Sequence, residues 1–293
     1  MLQLDGVTKV FKTGMFGKSE TRAVSEVGFT VQPGEVVSLI GESGSGKTTV
    51  GRMILRLTEP TTGAITFDGT DVATLGRRGL RDFYAHVQGV FQDPFSSYNP
   101  VYKVDRVLGM IRTSYLPGLS AGDWNKKLRQ SLEAVSLEPA DVLGKYPYQL
   151  SGGQLQRLMI ARALLLDLKF LVADEIISML DASTRIDVLN LLGDLKEQGV
   201  GILFITHDLS LGNYISDTTL IMRRGCIVEM GATVKVFGKP AHPYTQMLLT
   251  SVPHLTERWE PSRHTPTSED EYVDGGPLVK LEDDHFAAIG GAA

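Results

Sequence analysis

The sequence predicts an α/β protein with a mixed, largely parallel sheet at its core, and three observations carry that expectation. Two short apolar runs, Phe170-Leu171-Val172-Ala173 and Gly201-Ile202-Leu203-Phe204-Ile205, flank a helical stretch from Asp181 to Gly199. Strand, helix, strand in that order builds parallel pairs. The first 75 residues read as β-rich, which places an antiparallel layer ahead of that core. A glycine-rich loop ending in Lys47-Thr48 follows directly on the apolar run Val36–Ile40.

In chain order, Val27-Gly28-Phe29-Thr30-Val31 alternates as a strand, Gln32-Pro33-Gly34-Glu35 turns, and Val36–Ile40 is a buried-type strand. Thr49–Leu57 is compatible with a helix, and Ala64–Phe67 runs as a strand into the turn Asp68-Gly69. Residues from about 93 to 168 form a helical region, with Leu128, Leu132 and Val135 on one face. The stretch Asp181 to Gly199 carries Ile186, Leu189, Leu192 and Leu195, each three residues apart, and reads as a helix connecting the two core strands. Thr219–Met222, Arg223-Arg224-Gly225 and Cys226–Glu229 read as a closing hairpin. From about His254 onward Pro, Ser, Thr, Gly and acids dominate, and a weakly ordered tail is expected. There is no internal repeat of 20–50 residues.

Composition narrows the function classes. Hydrophobic residues are 42% and charged residues 22% of 293, the balance of a globular chain rather than a disordered or collagen-like one. With 29 Lys and Arg against 34 Asp and Glu the net charge is −5, which argues against a nucleic-acid binder. The surplus lies from Leu255 to Ala293, where nine acids face three bases, so the body is close to neutral. Cys226 is the one cysteine, which excludes an internal disulfide and a Cys-based metal cluster and fits a reducing compartment. Met1-Leu2-Gln3-Leu4-Asp5 lacks a basic region followed by an apolar core, so no signal peptide is expected. The apolar run Ala163–Leu166 is broken by Asp167 and Lys169, far short of the roughly 18–20 residues that cross a bilayer.

The chemistry sits in three motifs. Gly41-Glu42-Ser43-Gly44-Ser45-Gly46-Lys47-Thr48 fits G-x-x-x-x-G-K-[S/T], whose glycines let backbone N–H groups turn inward around a triphosphate at a helix N-terminus. Lys47 would reach the outer phosphates and Thr48 would ligate Mg²⁺. The strand Phe170–Ala173 ends in Asp174-Glu175, and two adjacent carboxylates at a buried strand end repel unless a cation meets one. Asp174 is read as the Mg²⁺ ligand and Glu175 as the group polarising an attacking water. Leu150-Ser151-Gly152-Gly153-Gln154 opens a helix expected over Leu155–Leu166, with Ser151 23 residues before Asp174, and makes a second anion site.

One nucleotide does not need two γ-phosphate sites in one chain. The set resembles the ATP-binding cassette family, in which two cassettes meet head to tail and the Ser-Gly-Gly of one closes over the nucleotide of the other. The resemblance covers roughly residues 1–235. It implies a nucleotide-binding domain over 1–236 with its helical subdomain at about 93–168, and a C-terminal extension over 237–293. Gln92 resembles the glutamine that touches Mg²⁺ and senses membrane subunits, and Ser178-Met179-Leu180-Asp181 the loop at the dimer interface. His207 resembles the switch histidine at the γ-phosphate, and Phe11 the aromatic that stacks on adenine, with Phe16 as its competitor. The resemblance thus implies Glu175 and His207 as catalytic groups. It assigns Phe11, Gly41, Ser43, Gly44, Gly46, Lys47, Thr48, Thr49, Gln92, Asp174, Ser151, Gly152, Gly153, Gln154 and Asp181 to ATP, and Thr48, Gln92 and Asp174 to Mg²⁺.

Phe91–Pro100 and His242-Pro243-Tyr244-Thr245-Gln246-Met247-Leu248-Leu249-Thr250-Ser251-Val252-Pro253 narrow the likeness to oligopeptide and dipeptide importer ATPases. The latter segment also reads as a Pro-bounded helix packed on the domain. No cysteine follows Cys226, so the iron–sulfur cluster of many members is not expected. The resemblance implies a hetero- or homodimeric cassette partner, two membrane permeases, an indirect solute-binding protein and no nucleic acid. It places the chain at the cytoplasmic face of a prokaryotic membrane. Oligosaccharides and nickel are alternative cargoes. Ile176-Ile177 replaces the family's Pro-Thr and keeps a non-hydrolysing cassette in view, and a non-transport cassette protein is a further rival. Removing residues 261–293 is expected to leave ATP binding intact.

Overall fold

The computed structural model describes residues 1–13, 19–251 and 276–288. In its first half the chain runs β1 (Leu2–Thr13), β2 (Ser19–Val31), β3 (Val36–Ile40), α1 (Lys47–Ile54), β4 (Thr62–Phe67), β5 (Thr70–Asp71), α2 (Arg77–His86) and β6 (Val87–Val90). Helices α3 (Val104–Tyr115), α4 (Ala121–Glu133), α5 (Pro139–Val142) and α6 (Gly152–Leu164) follow. Then come β7 (Phe170–Asp174), α7 (Ala182–Glu197), β8 (Gly201–Thr206), α8 (Leu209–Ile215), β9 (Thr218–Arg223) and β10 (Cys226–Ala232). The chain closes with α9 (Thr233–Gly238), α10 (Pro243–Thr250), β11 (Val279–Glu282) and β12 (His285–Ala287). It divides into two compact units, one of Met1–Val31, Glu35–Ala73 and Phe204–Ala293, the other of Gln32–Gly34 and Thr74–Leu203.

In the first unit β1 lies between β2 and β4, antiparallel to both, with Leu2 opposite Val31 on one side and Phe67 on the other. Strand β3 is buried at all five positions and runs parallel to β9, Val37 facing Thr218 and Ile40 facing Ile221. A strand buried on both faces reads as a continuous apolar run, which is why this one was legible. The expected hairpin is β9–β10, turning through Arg224 and Gly225 at φ 45° and 88°. It carries one bulge: Ile227 faces Met222 and Glu229 faces Ile221, leaving Val228 as the extra residue.

The expected tail departs from its composition. Residues 252–275 lie outside the described residues, but β11 and β12 form a hairpin and β12 pairs antiparallel with β10, Gly231 opposite His285. His285 and Ala287 are buried. Of the acids that suggested disorder, Glu282, Asp283 and Asp284 fall on β11 and the turn, where they are exposed, while His285, Ala287 and Ala288 face inward.

In the second unit β6 runs parallel to β7, Val87 opposite Phe170. The helices are capped from their own sequence: Ser120 Oγ accepts Asp123 N–H at 3.1 Å in front of α4, and Asp181 Oδ1 accepts Thr184 N–H at 2.9 Å in front of α7. Leu132 and Val135 are buried as their spacing predicts. On α7 the buried stripe is Val188, Leu189, Leu192 and Leu195, while Ile186 is 56% exposed. A three-residue step drifts around a helix of 3.6 residues per turn, and four such positions do not share one face.

Tyr98 is buried with its hydroxyl lacking a hydrogen-bond partner among the described residues. Burial pushes its pKa up to about 12 despite the Arg162 guanidinium near its ring. Tyr98→Phe removes an unsatisfied donor and keeps the ring, so it is expected to stabilise the protein by about 1 kcal/mol. A thermal melt checks this, with a rise of roughly 2 °C expected.

Candidate functional site

The phosphate loop belongs to the first unit and joins β3 to α1. Gly41 lies so close to β9 that a Cβ there would overlap the Met222 carbonyl oxygen. Gly46 holds φ at 107° against Ala23, where a side chain would be both strained and obstructed. Lys47 is only 5% exposed, and its Nζ donates to the carbonyls of Gly41 and Glu42, both at 2.7 Å. The β9–β10 turn braces the loop from outside: Gly225 N–H donates to Ser45 O at 2.9 Å, and Ser25 N–H to Gly225 O at 2.8 Å. Thr48 is exposed and Thr49 half-buried at the start of α1.

Two further predicted residues lie in this unit. His207 is exposed just past the end of β8, and Asp208 beside it caps α8, accepting Ser210 N–H at 2.9 Å. Phe11 is 39% exposed on β1 with Lys9 Nζ 5.1 Å from its ring centroid, while Phe16 lies outside the described residues.

The second unit holds the carboxylates. Asp174 ends β7 at 3% exposure, and Glu175 follows it half-buried at φ 49°. A glutamate in the left-handed region is a strained backbone position of the sort found where a side chain must be aimed. The turn is locked by Ser178, whose N–H and Oγ donate to Glu175 O at 3.1 and 2.9 Å. Ile176 and Ile177 are both buried, at 0% and 4% exposure. Gln92 is exposed two residues beyond β6.

Ser151 caps α6 in a reciprocal box: its Oγ accepts Gln154 N–H at 3.2 Å, and Gln154 Oε1 accepts Ser151 N–H at 2.9 Å. The structure brings Ser151, Gly152 and Gly153 together with Asp181 around an open depression of ≈ 380 Å³. The Asp181 carboxyl is held down to about 2, first by the Thr184 N–H and then by the Ser183 hydroxyl.

Mg²⁺ fits the donor chemistry, since Thr48 and Asp174 offer hard oxygens. Among the described residues no cluster of three or more His, Cys, Asp or Glu could hold a metal by itself. One residue escaped the sequence reading: Tyr244, whose motif was singled out, touches the phosphate loop through Glu42. Its signal was the Pro-bounded His242–Pro253 segment, which gave no hint of which surface it would meet.

The family profile described as ABC transporter matches residues 24–178, and that described as the C-terminal region of oligopeptide/dipeptide transporters matches 228–277. A Brucella ovis relative, named as a candidate peptide import ATP-binding protein, is 42% identical over 256 residues, 86% of this chain and 78% of that one. The glutathione import ATP-binding protein GsiA of Salmonella typhimurium is 42% identical over 272 residues, 91% of this chain and 42% of its own length. The dimeric ATP-binding cassette MJ0796, in a post-hydrolysis state bound to ADP and Pi, matches with a TM-score of 0.72 at 28% identity, over 80% of this chain and 99% of that one. An ATP-binding subunit of an ABC transporter matches with a TM-score of 0.70 at 26% identity, over 85% of this chain and 99% of its own. With a profile over more than half its length and a relative at 42% identity, this chain belongs to the ABC transporter family and is one of its ATP-binding cassette ATPases.

Proposed function

We propose that this ATPase drives the import of oligopeptides or dipeptides through partner permeases. The observation that carries this reading is the presence, in one chain, of the cassette match at 24–178 and the oligopeptide/dipeptide C-terminal match at 228–277. Relatives named for peptide import and for import of glutathione, a tripeptide, support the same cargo class.

In this reading the loop N–H groups and Lys47 bind the β- and γ-phosphates, with Gly41, Ser43, Gly44 and Gly46 shaping the loop and Thr49 continuing it. Phe11 stacks on the adenine. Thr48, Asp174 and Gln92 would hold Mg²⁺, which neutralises phosphate charge. Glu175 accepts the proton of the attacking water as its oxygen bonds to the γ-phosphorus and the bond to ADP breaks, and His207 orients the γ-phosphate. Ser151, Gly152, Gly153 and Gln154 cap the nucleotide of a second cassette, with Asp181 at the interface.

No helix among the described residues is long and apolar enough to cross a membrane, so the bilayer-spanning path is assigned to two permeases. The chain then acts at the cytoplasmic face of the membrane, with a solute-binding protein delivering cargo from the other side. Reconstituted with its permeases and solute-binding protein, the chain is expected to hydrolyse ATP faster when di- or oligopeptide is supplied, and to drive peptide uptake. Stimulation by nickel or an oligosaccharide in place of peptides would reassign the cargo, and ATP hydrolysis without any uptake would overturn the transport reading.

A further inference from the structure

Tyr244 stands in α10, outside every residue assigned above to ATP or Mg²⁺. It is 1% exposed and packs with Ile40, Leu209, Ile221, Val228 and Val236. Its hydroxyl reaches beyond that cluster and accepts the backbone N–H of Glu42 at 3.2 Å. Glu42 is the second residue of the phosphate loop, and its carbonyl accepts Lys47 Nζ at 2.7 Å. The same residue is therefore gripped on its N–H side by α10 and on its C=O side by the lysine.

We propose that Tyr244 is a positioning residue for nucleotide binding, fixing the Glu42 backbone and through it the phosphate loop and the Lys47 ammonium. The inference rests on the phosphate-loop reading and extends it to the C-terminal region. The tyrosine is itself held by a buried chain. His242 Nδ1 accepts Tyr244 N–H at 3.1 Å, and the two Glu229 carboxylate oxygens accept the N–H groups of Ala241 and His242, each at 2.9 Å. His285 Nε2 lies 2.8 Å from Glu229 Oε1. Glu229, His242 and His285 are at most 2% exposed. Pro243 at the first helical position adds a fixed φ to the same corner. A phenol so restrained has already lost its freedom, so its bond to Glu42 orders the loop before any phosphate arrives. Sites that bind through preset N–H groups gain affinity from such ordering. Packing alone would need only a phenyl ring, so the hydroxyl is the part of Tyr244 that distinguishes positioning from support.

The experiment titrates MgATP by calorimetry into the full chain carrying Glu175→Gln, which stops turnover, with and without Tyr244→Phe. The expected result is a Kd raised about fivefold, about 1 kcal/mol at about 1.4 kcal/mol per decade. In the otherwise unchanged chain, Tyr244→Phe should raise KM for ATP while kcat stays within about twofold. Met247→Ala alters a neighbour in the same depression beside the loop and should leave Kd unchanged. A Tyr244→Phe Kd within twofold of the parent, or an equal effect of Met247→Ala, would overturn the proposal. Should Tyr244→Phe fail to fold, Glu229→Gln decides: it disturbs the chain from behind α10 and must also weaken MgATP binding, and an unchanged Kd sinks the idea. Lys47→Ala is the separate check on the phosphate loop, since retained ATP affinity there would overturn that reading whatever Tyr244 does.

Discussion

Glu175→Gln is expected to lower ATP hydrolysis by about 10³-fold while leaving ATP affinity near that of the parent. The amide has the shape of the carboxylate but cannot accept the water's proton at neutral pH. The turn at φ 49° is held by Ser178 through backbone and hydroxyl bonds to Glu175 O, and none of these touches the substituted group. The substitution therefore removes chemistry and spares geometry. Phosphate release checks the rate and calorimetry the binding. The unusual Ile176-Ile177 gives the measurement a second purpose. Both side chains are buried, and the turn closes around them, so the parent is expected to hydrolyse ATP. If parent and variant were equally inactive, the assignment of Glu175 would fall and the non-hydrolysing reading would stand.

His285→Ala is expected to destabilise the protein by about 3 kcal/mol. Glu229 is fully buried, and among the described residues His285 is its one side-chain hydrogen-bond partner, at 2.8 Å. Without it the carboxylate keeps the Ala241 and His242 N–H groups, which places the cost at the lower end for a broken buried pair. A melting temperature lower by about 6 °C is the expected readout, and an unchanged melt would show the pair to be dispensable. This revises what removal of residues 261–293 should do. The cut takes away β12 and His285 together, so lower stability is expected, and through Glu229 and Tyr244 a weaker grip on ATP.

The parts of this protein that could be read from its sequence are those whose cause is local. The phosphate loop is eight consecutive residues with glycines where β9 and Ala23 press closest. Strands β3, β7 and β8 are buried at every position, so each is a run of apolar letters. The β9–β10 hairpin follows from Arg224-Gly225 between two such runs. What escaped depends on single side chains meeting across long separations. Tyr244 and Glu42 are 202 residues apart, and His285 and Glu229 are 56 apart. No window of sequence contains both partners. His285 was further hidden by the acids around it.

The extra residue in β10 has an evolutionary reading. Side chains on a strand alternate faces, so one inserted residue exchanges the faces of everything after it. Val228 is that insertion, and Glu229 is the next residue. Replacing Val228 with another aliphatic group would be a mild edit. Losing it would turn Glu229 away from both histidines. Lineages carrying this arrangement should therefore tolerate substitution at position 228 but not a change in strand length, because the count of residues there, more than their identity, joins the C-terminal segment to the Gly41–Thr48 loop.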